Sequence, residues 1–427
     1  MTDSGESSRS GRIAFTYPEF RYLQYARFLS VIGTEMQSVA VGWQVFEITN
    51  RALDLGLVGL AQFLPGILLF LISGHAADRY NRTKVLMFSY AGLALCSGLL
   101  LAITLSGTRS VYPIYGVMLL IGIARSFSGP SGRALLPLVV PEEHFQNAVA
   151  WGSSMFQTAT ILGPAVGGLV YAMFRGPIVV YATAMIAAAG ASVSILRVKV
   201  RAKPKDREVV SWGTVLAGLR YIRDHKIVLG AVSLDLVAVL LGGAVALLPV
   251  YAKDILHTGP LGLGLLRCAP GIGAGAMAIL LAYRPLRRKA GATMLWCVAG
   301  FGAFTIIFGV SHSLPLSMLA LALVGASDMV SVVIRGVLVQ LATPDEMRGR
   351  VNAVEMIFIG ASNEFGQFES GVTAWWIGSV PAVILGGVGS IVVTVLWAVF
   401  FPDLRNVDHL AGAGDPAAES SLTSSDD

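Results

Sequence analysis

Long apolar runs alternate along this chain with short polar, charged segments. Twelve runs of about 20–28 residues lie near 28–48, 55–77, 85–105, 111–136, 145–174, 177–196, 227–251, 261–282, 292–310, 314–338, 351–376 and 380–401. A hydrocarbon core of ~30 Å takes about 20 residues at 1.5 Å rise, so each run predicts a membrane-crossing helix. The runs are continuous rather than alternating, which favours helices over a β-barrel. A basic stretch, 197–226, divides the chain nearly in half. Within it, Trp212 to Arg223 patterns as a short amphipathic helix at the membrane interface. The expected organisation is a cytoplasmic tail 1–27, a six-helix bundle 28–196, the basic linker 197–226, a second bundle 227–401, and a tail 402–427. Its Ala, Gly, Ser and Asp predict disorder for this last tail.

Composition sharpens the picture. Of 427 residues, 55% are apolar and 13% charged, against about 25% charged in a soluble domain. The net charge of +5 would suggest nucleic acid in a soluble protein, but here the placement of the cations matters more. Lys and Arg gather before the first run, between the second and third, along the linker, between the eighth and ninth, and at Arg348 and Arg350. The alternate loops carry only Arg51, Arg109, Arg175 and Lys253. This bias predicts a multi-pass protein with both termini cytoplasmic. No cleavable signal peptide is visible. Cys96, Cys268 and Cys297 fall inside apolar runs without metal-ligand spacing, so no metal or cofactor is expected. No phosphate-binding loop, zinc-protease or nucleophile-elbow motif occurs. The reading is therefore not an enzyme, with an ion gradient as the energy source.

The halves repeat at an offset of about 203–205 residues. Leu64-Pro65-Gly66-Ile67 matches Ala269-Pro270-Gly271-Ile272, and Gly122 matches Gly325. Pro141-Glu142-Glu143 matches Pro344-Asp345-Glu346, Gly163 and Gly168 match Gly366 and Gly371, and Arg79 and Arg82 match Arg284 and Arg287.

Ionisable residues inside apolar runs cost ~2.5–3.5 kcal/mol each on an insertion scale, so each needs a reason. The candidates are Glu35, Arg125, Asp235, Arg267, Asp328, Glu355, Glu364 and Glu369. Arg125 holds a neighbouring carboxylate ionised until something displaces it, and Glu35 is its expected partner. The bland alternative is a static brace between the first and fourth helices. Asp235 and Asp328 are expected to share a cavity, to select cations or relay protons; the bland alternative is helix–helix hydrogen bonding. Arg267 reads as a snorkelling surface residue. In the eleventh run Glu355, Ser362, Gly366, Glu369 and Thr373 share one face, with Glu364 nearly opposite. That face reads as cavity-lining or packed on the second helix. Glu355, near the surface, is expected to cap or to pair with Arg79 or Arg82. The expected proton-coupling set is Glu35, Arg125, Asp235, Asp328, Glu364 and Glu369.

Four stretches carry a family resemblance. GHAADRYNRTK, 74–84, resembles the loop after the second helix of the major facilitator superfamily, with Asn81 at the usual second glycine. IGIARSFSGPSGR, 121–133, resembles that superfamily's fourth-helix motif, where the arginine matching Arg125 is linked to proton transfer. ILGPAVGG, 161–168, resembles the fifth-helix motif of its exporters. The run 352–371 resembles the eleventh helix of transmembrane secretion effectors, the branch that holds the enterobactin exporter.

The resemblance implies an all-α membrane protein, twelve transmembrane helices as two six-helix repeats in the major facilitator fold. Helices 1, 4, 7 and 10 would line a central cavity, with helices 3, 6, 9 and 12 facing lipid. Gly74, Asp78, Arg79 and Arg82 would form a cytoplasmic gate, the cations pairing with Glu142, Glu143 or Glu355. Gly163, Pro164, Gly167 and Gly168 would form the export motif, by close helix approach. The expected function is export of a small amphipathic siderophore or drug across the bacterial inner membrane by proton antiport. The expected partners are that small molecule, protons and membrane lipids, with no nucleic acid, and the chain is expected to be a monomer. Two other readings fit the same residues: a lipid or lysolipid transporter, and a non-transporting membrane sensor or scaffold.

Overall fold

The computed structural model describes residues 12–199, 212–284, 286 and 288–408. Twelve rods follow in order. They are α1 (Pro18–Thr49), α2 (Ala52–Leu68, continued by Phe70–Arg79), α3 (Arg82–Leu105) and α4 (Tyr112–Val139). Next come α5 (Phe145–Met173), α6 (Ile178–Leu196), α7 (Lys226–Leu241) and α8 (Gly259–Tyr283). The last are α9 (Ala290–Val310), α10 (Leu314–Ala342), α11 (Asp345–Ile377) and α12 (Ser379–Phe400). Among the described residues none lies in a β-strand.

Among the described residues eight of these rods are long and apolar enough to cross a membrane on length and composition alone, the seventh only when counted with the turns that follow it, Lys226–Ile255. The other four, α1, α2, α4 and α11, fall short for a reason that matters below. Three of them carry Glu35, Arg125 and Glu364 of the cavity, and α2 is interrupted at Leu69.

Several boundaries differ from the hydropathy pattern. The first rod begins at Pro18, so 18–27 are helical rather than part of a tail. Pro at the helix start, with its fixed φ, initiates the rod well before hydropathy rises. The seventh run stops at Leu241, because Gly242 and Gly243 end the helix and 244–255 continue as short irregular turns. The linker helix forms over Trp212–Asp224, and Gly218 seats it on the backbone of Arg350 in α11. Residues 402–408, expected to be disordered, instead make a short helix Pro402–Arg405. They then cap α9: Asp408 Oδ1 accepts from Lys289 N at 2.9 Å, and Val407 O from Gly291 N at 3.0 Å. The tails 1–11 and 409–427, the linker segment 200–211 and Arg287 of the repeat lie outside the described residues.

The rods pack with a two-fold pattern. In the first half α1 packs on α5 and α6, α3 on α4 and α6, and α2 on α4. In the second, α7 packs on α11 and α12, α9 on α10 and α12, and α8 on α10. The repeat glycines explain the match. Gly122 of α4 lies against Gln62 and Pro65 of α2, and Gly325 of α10 lies against Pro270 of α8, each too close for a Cβ. The outer surfaces of α3, α6, α9 and α12 expose Leu95, Ile186, Trp296 and Leu385. Such apolar side chains belong against hydrocarbon.

The halves meet along two seams, α5 with α8 and α2 with α11. At the end away from the chain termini these seams are tight: Gly168 meets the backbone of Pro260 and Gly264, and Gly371 meets Gly56. Lys253 Nζ donates to Asn50 Oδ1 across this far end at 2.6 Å. Toward the terminal end α4 exposes Arg125, Gly129 and Arg133, and a Cβ at Gly129 would meet nothing within 4 Å.

Candidate functional site

The central cavity lies between the halves and holds about 220 Å³. Glu35 and Ser38 of α1, Arg125 of α4, Arg267 of α8, and Glu364 and Gln367 of α11 supply its polar groups. The fold places each for a local reason. Gly163 of α5 leaves room for Glu35: a Cβ at Gly163 would stand 2.5 Å from Glu35 Cβ. Gly167 does the same for the backbone of Met36, one residue on. These two glycines of the expected export motif thus seat α1, while Gly168 closes the far seam. Pro164 lies inside α5, and its carbonyl faces Gly264 of α8. Gly59 of α2 provides the gap that Glu364 and Gln367 enter, and Gln367 Nε2 donates to Glu364 Oε2 at 3.3 Å.

The charges are shared across the two halves. Arg267 Nη1 donates to Ser38 Oγ at 2.6 Å, tying α8 to α1. Its electrostatic neighbours are Glu35 and Glu364, and those of Glu364 include Arg125. Two guanidinia and two carboxylates therefore face one space with no net charge. Among the described residues, no ion pair within 4 Å joins Arg125 to Glu35, the partner expected from sequence. The cavity guanidinium that does reach across the halves is Arg267, through its hydrogen bond to Ser38. Arg267, taken for a surface residue, is a cavity residue. It sits eight positions into α8, ~12 Å at 1.5 Å per residue, too deep to snorkel.

Of the helices expected to line the cavity, α1 and α4 do so; α10 does not, and after α7 only residues 245, 246 and 249 reach it. Helices α2, α8 and α11 complete the wall because both seams run along it.

Asp235 and Asp328 do share a cavity, but a separate one of about 10 Å³ inside the second half, with Ser327 and Ser331. Asp235 is ion-paired with Arg335 of α10. Arg335 Nε also lies 3.1 Å from Glu355 Oε1 of α11, without aiming its hydrogen at it. Arg335 is 3% exposed and Asp235 7%. Glu355 is thus engaged with Arg335 rather than with Arg79 or Arg82. Arg335 is the residue that sequence reasoning missed. It lies seven positions after Asp328, hence on the same face of α10, and that spacing was the available signal.

The last acid of α11 goes elsewhere again. Glu369 accepts from Thr373 Oγ1 at 2.7 Å and lies on an apolar groove between α7 and α11 lined by Leu236, Phe365, Phe368 and Trp376. Ser362, Glu369 and Thr373 share that groove and Glu364 lies in the central cavity, so the face is as expected but it does not line the central cavity.

The expected gate lies at the terminal end. Gly74 and Asp78 fall in the second segment of α2; the Asp78 side chain lies outside the described residues. Arg79 is exposed, and Arg82 donates to Ala134 O of α4 at 3.4 Å. Asn81, in place of glycine, caps α3: its Oδ1 accepts from Thr83 N at 3.0 Å and Lys84 N at 3.2 Å.

Known proteins agree with this architecture. The family model described as transmembrane secretion effector matches residues 10–420. The multidrug efflux pump Tap of Mycolicibacterium fortuitum is 27% identical over 414 residues, 90% of this chain and 96% of that one. The enterobactin exporter EntS of Shigella boydii is 27% identical over 404 residues, 91% of this chain and 93% of its own length. The crystal structure of the POT family transporter PepTSo superposes with a TM-score of 0.70 at 13% identity, covering 92% of this chain and 99% of that one. The chain is a multi-pass transporter of the bacterial inner membrane with the major facilitator fold, and it belongs to the transmembrane secretion effector family.

Proposed function

We propose that this efflux transporter exports a small amphipathic molecule, siderophore-like or drug-like, in exchange for protons by alternating access, as a monomer. In this reading all twelve rods cross the membrane, and the terminal end is cytoplasmic because the Lys and Arg residues concentrate there. The observation that carries it is the cavity whose two guanidinia and two carboxylates come from both halves. Rocking the halves apart must separate Arg267 from Ser38 and Glu364 from Arg125. A substrate or proton that takes over one of these contacts changes which conformation is favoured. At about 220 Å³ the cavity is smaller than the ~300–1,000 Å³ that encloses a drug-sized ligand. Loading therefore requires the terminal end to widen.

The proton store fits the second-half cluster best. Asp235, Asp328 and Glu355 are three carboxyls around one guanidinium, whereas the central cavity is balanced. Its cavity of about 10 Å³ is near the minimum for one water, and Ser331 Oγ there has no protein partner. One water would join Asp328 to that hydroxyl as a relay. Glu35 and Glu364 then respond to substrate. The energy source is the ion gradient, with no catalytic step.

A second reading, lipid transfer, draws on the apolar groove beside Glu369. Inverted vesicles containing the purified protein distinguish the two. Gradient-dependent accumulation of catecholates or amphipathic drugs supports export of a soluble molecule. Gradient-dependent movement of a fluorescent phospholipid, with none of the soluble panel, replaces it with the lipid reading.

A further inference from the structure

Glu369 turns away from both the central cavity and the Arg335 cluster. At about 100° per residue, it stands at the middle of a strip of α11 made by Ser362, Phe365, Val372, Thr373 and Trp376. This strip and Leu236 and Leu240 of α7 line the lateral groove, while Glu364 and Gln367, on the opposite side of α11, line the central cavity. Two glycines close α11 onto its neighbours. A Cβ at Gly366 would lie 2.9 Å from Leu240 O of α7, and one at Gly371 2.9 Å from Gly56 Cα of α2. Helix α11 itself therefore separates the groove from the cavity. The groove opens outward, where Phe365 is 41% and Trp376 73% exposed.

A carboxylate facing hydrocarbon is costly and marks a function. Thr373 Oγ1 donates to Glu369 Oε1 at 2.7 Å. Its Oε2 is not enclosed and has no partner among the described residues, and no cation among them lies within 4 Å. The charge is thus left for a ligand. Phe365, Phe368 and Trp376 supply aromatic surface for an apolar body and for cation–π attraction. The groove holds about 550 Å³, within the ~300–1,000 Å³ that suits a drug-sized ligand. Depth separates two kinds of cation. Trp375 and Trp376, both exposed, mark the headgroup level at the far end, and Glu369 lies ~10 Å inward of Trp376 along the helix. A phospholipid amine stays at the level of the tryptophans, whereas a cation with a wholly apolar body carries its charge into the hydrocarbon.

We propose that the groove between α7 and α11 is a lateral binding site for a lipophilic cation, a bulky ammonium or phosphonium that reaches Glu369 from the outer leaflet. The site rests on the reading that both helices cross the membrane with the terminal end cytoplasmic. The full-length protein is placed in phosphatidylcholine nanodiscs and equilibrium binding of radiolabelled tetraphenylphosphonium is measured. The wild type is expected to bind it saturably. Glu369→Gln weakens binding by roughly tenfold or more, and Glu369→Asp restores part of it. Val372→Trp fills the groove floor without touching the charge and also weakens binding. Glu346→Gln, exposed on the same helix, leaves it unchanged. No saturable binding by the wild type, or binding unaffected by both Glu369→Gln and Val372→Trp, overturns the site. Competition by phosphatidylethanolamine at constant total lipid also overturns it, replacing the lipophilic cation with a lipid headgroup. A nitroxide at position 372 tests the membrane reading separately. It is expected to be more accessible to oxygen than to a water-soluble nickel chelate, and the opposite order removes entry from lipid. The readout is binding rather than transport, so failure of proton-coupled export leaves the site standing.

Discussion

Gly168→Ala is the most direct mechanical perturbation of the far seam. An added Cβ would lie 2.5 Å from Pro260 O and 3.0 Å from Gly264 Cα. Both atoms are backbone in a packed helix, so no rotamer change relieves the contact. Overpacking of this kind costs about 1–3 kcal/mol. The penalty applies where the far end is closed and vanishes where the halves part there, so the closed-to-open ratio falls by a factor of about 5–150. Spin labels at Arg51 and Asp254, flanking the Asn50–Lys253 contact of 2.6 Å, report that gap by pulsed dipolar spectroscopy. The longer-distance population is expected to grow in Gly168→Ala. Gly129→Ala is the control, because a Cβ there meets nothing within 4 Å, and its distribution stays as in the wild type. An unchanged distribution in folded Gly168→Ala would refute the claim that this glycine contact holds the far end shut.

Three further outcomes follow from the same geometry. Arg335→Met strands the buried carboxylate of Asp235 and the half-buried one of Glu355 and lowers stability by about 3–5 kcal/mol; adding Asp235→Leu recovers a substantial part of it, as read by equilibrium unfolding in mixed micelles, and additive losses would show that the two residues are not coupled. Asp78→Asn reduces transport at unchanged protein level, measured by efflux against immunoblot, and normal efflux would remove the gating role of that loop. Gly325→Ala forces a Cβ onto the backbone of Pro270 and lowers the amount of folded protein recovered, by size-exclusion chromatography, whereas Gly336→Ala, at a position with nothing within 4 Å, leaves it unchanged.

The architecture was legible because lipid imposes a simple rule: backbone polar groups must be satisfied within the helix. Run lengths and the glycine–proline repeat therefore carried the fold, and Gly122 and Gly325 occupy the same place in both halves. The helix ends were less legible because hydropathy stops where charge begins, while the helix continues through Glu19 and Arg21. The site was half legible. Ionisable residues in apolar runs pointed to Glu35, Arg125 and Glu364, but not to their neighbours, which lie across the interface between halves. Helical periodicity grouped Glu355 with Glu369. Yet α11 is 33 residues long and passes Arg335, the central cavity and the lateral groove in turn. One face of a long helix does not mean one environment.

The central claim is that substrate exit through the shared cavity is coupled to proton entry at the second-half carboxyls. It is tested most directly by liposomes holding a trapped pH dye, with a pH gradient imposed and a panel of catecholate siderophores and amphipathic drugs added. Substrate-dependent proton flux in the wild type, abolished in Arg125→Ala, is the predicted result. Absence of flux with every compound in protein shown to be folded, or flux of equal size in Arg125→Ala, would contradict it.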